Sequence, residues 1–153
     1  MDLILWRHAE AFDLDESVED LERALTARGE RHAARMGSWL GQHLPATTRV
    51  LASPARRCQQ TAAALDRKFK TIAALGPDGT APGLLGAARW PDSREPVLVV
   101  GHQPTLGLAA AYLLAGLAQP WSVKKGAVWW LRRREREGNA QTVLVTVRGP
   151  ENV

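Results

Sequence analysis

Short apolar runs alternate with stretches of helical periodicity along this chain. Asp2 to Trp6 (DLILW) is a continuous apolar run that ends at a polar pair, the pattern of a buried strand. Residues 10–22 are acidic without clear periodicity and read as a loop or a short helix. Thr26 is placed to cap a helix running to about Leu44, with Ala33, Met36, Leu40 and Leu44 on one face and Pro45 just beyond its end. Arg49 to Ala52 reads as a second strand. Ser53-Pro54 then offers an N-cap and a first-turn proline for a helix reaching about Phe69. Thr71 to Leu75 reads as a third strand, and Gly76 to Gly86, rich in glycine and proline, as a loop. Glu95 to Val100 (EPVLVV) suits a strand buried on both faces, and a helix over Leu106–Leu117 follows. Ala127–Leu131 and Thr142–Val147 are strand-like and flank Arg134–Ala140, which predicts a terminal hairpin. On its first strand Trp129 and Trp130 put one ring on each face.

Strands alternating with helices predict an α/β fold: a three-layer sandwich with a mostly parallel central sheet flanked by helices and a C-terminal β-hairpin. No repeat and no linker divides the chain, so a single domain over residues 1–153 is expected.

Composition narrows the class. Apolar residues make up 45% and charged residues 24%, which excludes a disordered chain. The most apolar stretch, Leu106 to Ala118, is too short for the roughly 20 residues of a membrane helix. The start lacks the basic opening and small-residue cleavage site of a signal peptide, and the lone Cys58 rules out an internal disulfide. A cytoplasmic protein with no membrane partner is therefore expected. The net charge of +4 is unevenly spread: residues 1–31 carry nine acids and four bases, and the remainder is basic. Only Arg132, Arg133, Arg134 and Arg136 cluster, with no aromatic interleaving, so a nucleic-acid partner is not expected.

Three polar clusters each follow a predicted strand: Arg7-His8-Ala9-Glu10, Ser53-Pro54-Ala55-Arg56-Arg57 and Gly101-His102-Gln103-Pro104. In parallel α/β sheets ligands bind beyond the carboxyl ends of the strands, so all three can converge on one pocket. Two histidines, at least two arginines and nearby helix N-termini suit a phosphoryl group, because guanidinium forks match its oxygens. There is no Walker glycine loop, and Cys58 is followed six residues later by Ala64, not the arginine of cysteine phosphatases. No dense ligand cluster completes a metal site around His8 and His102. A histidine nucleophile flanked by cations uses all the pieces, with no cofactor and no metal.

LILWRHAEA, RALTARG, LASPARRCQQTA and VLVVGHQPTLG, in this order, resemble the histidine phosphatase superfamily, whose fold is phosphoglycerate mutase-like. The short length and the Arg-His-Ala-Glu variant look most like its compact SixA-type phosphohistidine phosphatase branch. The resemblance implies that His8 attacks phosphorus and is transiently phosphorylated, that Arg7 clamps the phosphoryl oxygens, and that His102 stabilises charge on the transferring group. In the family register of Ser-Pro, two variable residues, Arg, then Gln-Thr, the phosphate arginine is Arg57, followed by Gln60-Thr61; Arg56 falls on a variable position. Arg23, ahead of Leu25-Thr26, has either a site or a surface role. Ser53 and Gln103 are further candidates for substrate contact. Glu10 either orients His8 or is solvated; His32 and His43 are expected to be solvated and Cys58 packed.

Two departures from the wider superfamily matter. Ala9 stands where glycine is usual, and Gln103 follows His102 where the acid-phosphatase branch has aspartate. The short segment between Arg57 and His102 offers Asp66, Asp78, Asp92 and Glu95, none in a recognisable motif. General acid catalysis is commonly worth roughly 10²–10⁴ in rate, and an alkoxide leaving group wants it. The imidazole of phosphohistidine can be protonated on its own ring and needs less help. A phosphohistidine-bearing protein is therefore the expected substrate. The alternatives are a small phosphomonoester, a mutase reaction or a non-catalytic phosphate-binding module. Oligomeric state is not legible.

Overall fold

A computed structural model describes residues 1–153. Its centre is β1 (Asp2–Arg7), in which Leu3, Ile4, Leu5 and Trp6 are all fully buried. A strand buried on both faces needs apolar side chains at every position, which is why this run does not alternate. β1 pairs in parallel with β4 (Val97–Gly101), β4 in parallel with β2 (Arg49–Ala52), and β2 in parallel with the short β3 (Lys70–Thr71). On the other side β5 (Val128–Arg136) runs antiparallel to β1, and β6 (Asn139–Arg148) antiparallel to β5. The order is β3-β2-β4-β1-β5-β6, a mixed and mostly parallel sheet.

Alternation along the strands feeds two cores. Ile4, Trp6, Leu98 and Val100 meet Met36 and Leu40 of α1 (Ala27–His43) and Cys58 and Ala62 of α2 (Arg56–Ala63). Leu3, Leu5, Val97 and Val99 meet Leu84 and Ala88 of α3 (Ala81–Ala88) and Leu106, Ala109 and Ala110 of α4 (Thr105–Ala115). Trp130 joins the first core and Trp129 packs beside the second, so the adjacent rings do face opposite ways. No helix is long and apolar enough to cross a membrane.

α1 starts where the sequence predicts: the Thr26 hydroxyl accepts from the Gly29 N–H at 3.0 Å. Gly29 is required there, because a Cβ would stand 2.0 Å from the Glu10 carbonyl oxygen.

Several elements differ from the sequence reading. α2 begins at Arg56 rather than at Ser53-Pro54; Ser53 does not cap it but accepts from the Ala55 N–H at 3.1 Å. It stops at Ala63, not near Phe69. Ala64, Leu65 and Asp66 bond to carbonyls three residues back, tightening the last turn, and Asp66 then takes a positive φ of 56°. The predicted strand Thr71–Leu75 is only the edge pair Lys70–Thr71 followed by a 3-10 turn over Ala73–Leu75. The segment read as a loop, Gly76 to Gly86, overlaps most of α3. Thr80 caps it through the Gly83 N–H, Pro82 sits in its first turn, and packing of Leu84 and Ala88 overrides the poor propensity of its glycines. The hairpin is longer than predicted and its turn tighter. Only Glu137 and Gly138 separate the strands, both at positive φ as a two-residue type I′ turn demands.

Candidate active site

The carboxyl ends of β1 and β4 lie side by side, Arg7 opposite Gly101. His8 and His102 are the residues immediately after each strand, and their ring centroids are 5.3 Å apart. Around them a pocket of about 190 Å³ is lined by Arg7, His8, Ala11, Asp13, Arg23, Arg57, Pro77, His102, Gln103 and Lys125. The three predicted clusters therefore converge.

The first cluster is pinned by backbone. The N–H of Gly126, at a φ of 75°, donates to the carbonyls of both Arg7 (3.1 Å) and His8 (3.0 Å). The Ala9 N–H donates to the Thr61 hydroxyl at 3.1 Å, and that hydroxyl donates to the Arg57 carbonyl at 2.8 Å. Gln60 accepts from the Leu25 N–H at 2.8 Å. The Gln60-Thr61 pair thus ties the second motif to the first and to the segment before α1.

His8 is buried, and its Nδ1 lies 2.8 Å from the Ala9 carbonyl oxygen. A carbonyl only accepts, so Nδ1 carries the proton and Nε2 keeps its lone pair. Burial pushes the imidazole down to about 4; the Ala9 contact opposes this, and the charges of Arg57, Arg7 and Arg23 reinforce it. His8 is thus neutral at physiological pH.

His102 is also buried. Its Nε2 is 2.7 Å from Ser53 Oγ, and Cys58 Sγ lies 3.5 Å from the same nitrogen. Ser53 Oγ also accepts from the Ala55 N–H, and with a second lone pair and one proton it can either donate to Nε2 or accept from it. With the Ser53 hydroxyl donating to Nε2, the His102 proton resides on Nδ1. Burial, then the charges of Arg57 and His8, push this imidazole down to about 3. Burial also pushes the Cys58 thiol up to about 12, so it is no nucleophile.

Arg57 is only 3% exposed, whereas Arg56 is exposed outside the pocket. Arg7 donates from Nη1 to the Val123 carbonyl at 2.8 Å. The Nε atoms of Arg7 and Arg57, like that of Arg49 outside the pocket, are buried without a hydrogen-bond partner. Arg23 does line the pocket, although its Nε is bound to Asp20 at 2.9 Å and its Nη1 to the Phe12 carbonyl.

Three expectations change. Ser53 is fully buried behind His102 and does not line the pocket, so it is no substrate contact. Gln103 borders the pocket, but its amide is committed to the Trp121 carbonyl (2.7 Å) and the Gly107 N–H (2.8 Å). Glu10 does not orient His8; it accepts from the Thr26 hydroxyl at 2.8 Å. Of the carboxylates considered as acids, none lines the pocket. Asp92 and Glu95 lie together before β4, at the opposite end of that strand from His102.

Sequence reasoning missed Asp13, Lys125 and Asp20. Asp20 sits on a 3-10 turn (Asp20–Glu22), and its carbonyl and carboxylate accept from Arg57. Burial acts to raise its carboxyl, but Arg23 and Arg57 outweigh this and hold it below the usual carboxylate range. It lies in an acidic run without periodicity, and only the fold turns it toward the arginines. No group of three or more histidine, cysteine, aspartate or glutamate side chains comes together as a metal site would require.

The pocket at the strand ends places two neutral histidines among arginines, and the chain belongs to the histidine phosphatase superfamily (branch 1), whose sequence model matches residues 3–77. Within it the chain is SixA-like. It is 30% identical over 128 residues to the phosphohistidine phosphatase SixA homolog of Haemophilus influenzae, covering 74% of this chain and 77% of that protein. An uncharacterized protein of Mycobacterium tuberculosis is 38% identical over 116 residues, covering 73% of this chain and 71% of the relative. The structure of the protein histidine phosphatase SixA complexed with tungstate superposes with a TM-score of 0.80 at 28% identity, over 99% of both chains.

Proposed function

We propose that this protein, acting as one domain, hydrolyses phosphohistidine on a protein through a covalent intermediate on His8. The observation that carries the reading is the neutral His8 with its Nε2 free, in one pocket with Arg7, Arg57 and His102. The SixA relative solved with tungstate, a tetrahedral oxyanion like phosphate, supports it.

Nε2 of His8 attacks phosphorus as the bond to the substrate imidazole breaks. That imidazole leaves with a proton on its own ring. Arg7 and Arg57 hold the phosphoryl oxygens, and Nδ1–H of His102 donates to one of them. Water then attacks phosphorus, the bond to Nε2 breaks, and inorganic phosphate and free His8 result. Burial keeps both imidazoles neutral, so His8 is a nucleophile at neutral pH without a separate base.

Asp20, ionised between two arginines, holds no proton for a leaving alkoxide at neutral pH. The other carboxylate at the pocket is Asp13. With Asp20 unable to serve as acid, leaving groups that depart unaided are favoured, and Asp13 is the lining carboxylate to test against an alkyl phosphate. The test is dephosphorylation of a histidine-phosphorylated carrier or relay protein, with trapping of phosphate on His8 under acid-free quench. His8→Ala should abolish both. Full turnover by that variant would overturn the mechanism.

A further inference from the structure

Beside the catalytic pocket lies a larger cleft of about 680 Å³. The two share Arg7 and Lys125 as common lining residues. Its walls come from elements remote in sequence. Arg28 and His32 lie one turn apart on α1, Lys124 and Lys125 in the loop before β5, and Trp129 on β5; the chain after β6 supplies a further wall from Gly149 to Asn152. That last segment is held by Arg35, whose Nη1 donates to the Pro150 carbonyl at 2.9 Å.

The cleft is cationic. Arg7, Arg28, Lys124 and Lys125 line it against the carboxylates Glu10 and Glu151, and Glu10 is engaged with the Thr26 hydroxyl. No residue of the acidic 13–22 segment borders it; that segment reaches the catalytic pocket through Asp13 instead. The catalytic mouth thus has an acidic stretch and a basic cleft at its borders. Arg28, Lys124 and Lys125 are all exposed, and none is buried to strip water from a small anion. Exposed like charges along a cleft steer and orient an extended charged partner.

We propose that this cleft docks an acidic segment of the phosphorylated protein and so aligns its phosphohistidine with His8. The proposal rests on the protein-phosphohistidine reading above and adds the chemistry of the partner. The half-buried Trp129 supplies an apolar wall for the segment's backbone and side-chain stems.

Anisotropy of a labelled oligoglutamate peptide measures docking without any phosphoryl chemistry. Wild type should bind it, more weakly as salt rises, and Arg28→Glu/Lys124→Glu should weaken it by about tenfold or more. The same double variant should raise KM for a phosphohistidine-bearing protein with acidic flanks while turning over a small aryl phosphate as wild type does. That second assay also reports folding, and Arg28→Gln/Lys124→Gln provides a milder pair with the same expected direction. Equal peptide affinity in wild type and both variants would overturn the proposal. So would displacement of the peptide by equimolar tripolyphosphate, which marks a small-polyanion site. If peptide binding depends on the cleft but no phosphohistidine protein is hydrolysed, the acidic-segment site stands and the substrate reading fails.

Discussion

Arg57 is bound at both terminal nitrogens by Asp20: Nη1 donates to its carbonyl oxygen at 2.8 Å and Nη2 to its carboxylate at 3.2 Å. A phosphoryl group must share or take over this guanidinium. The carboxylate therefore competes with the substrate's negative charge. Asp20→Asn should strengthen competitive inhibition by inorganic phosphate, by roughly 3- to 10-fold for removal of one nearby like charge. A weaker inhibition constant in the variant would instead make Asp20 a strut that holds Arg57 in place.

Arg57 and Arg56 are neighbours with opposite fates, one buried at the pocket and the other in solvent. Arg57→Ala should lower kcat by roughly 10²–10³, the usual cost of a preorganised transition-state donor. Arg57→Lys should also be poor, since a point charge does not reproduce a fork. Arg56→Ala should change little. Steady-state kinetics with an aryl phosphate decide it, and the reverse ranking would contradict the motif register.

The Ser53 hydroxyl, 2.7 Å from His102 Nε2, should fix the His102 tautomer by donating to that nitrogen. Ser53→Ala should cost about 1–3 kcal/mol of activation or stability, the range for an orphaned buried polar group. The specific readout is nitrogen NMR of His102. Wild type should show the proton on Nδ1, and the variant a mixture. An unchanged spectrum would remove Ser53 from the mechanism.

Both histidines carry depressed values, about 4 for His8 and about 3 for His102, against roughly 6.5 in an unfolded chain. Between these limits the unfolded chain binds protons that the folded chain does not. Stability should therefore fall as pH drops from 6.5 toward 4, while the free enzyme's kcat/KM keeps its histidines neutral over the same window. Thermal melts across that range check the first statement. His8→Asn should flatten the slope, and an acid limb of kcat/KM attributable to His8 near pH 6.5 would contradict the second.

Leaving-group basicity should order the substrates. Phosphohistidine on a protein should show the highest kcat/KM, activated aryl phosphates less, and alkyl phosphates such as phosphoserine least. Measurement across that series at one pH is the check. If an alkyl phosphate matches phosphohistidine, a small-molecule phosphatase reading takes over. Asp13, the pocket carboxylate not tied to an arginine in this structure, would then be the acid to remove, in place of Asp92 or Glu95.

Much was legible in the chain because its cues are local. DLILW and EPVLVV announce strands buried on both faces, Thr26 announces a cap, and four ordered motifs announce the family. Three of those motifs lie at strand ends, so placing the strands also placed His8, Arg57 and His102. α3 escaped because its glycines and prolines speak for a loop; only Leu84 and Ala88 finding a core make it helical.

The sequence by itself determined the burial of the central strands on both faces and the ordered motifs that mark the family, since each cue depends on spacing within a few residues. Tertiary structure alone decided what meets across long separations. It turned Ser53 inward onto His102, set Asp20 against Arg57, moved Asp92 and Glu95 to the far end of β4, and assembled a basic cleft from α1, the loop before β5 and the chain after β6. The physical reason is that these side chains carry no periodicity of their own. Their partners are chosen by where the two cores bring the loop ends together, and no local pattern records that choice.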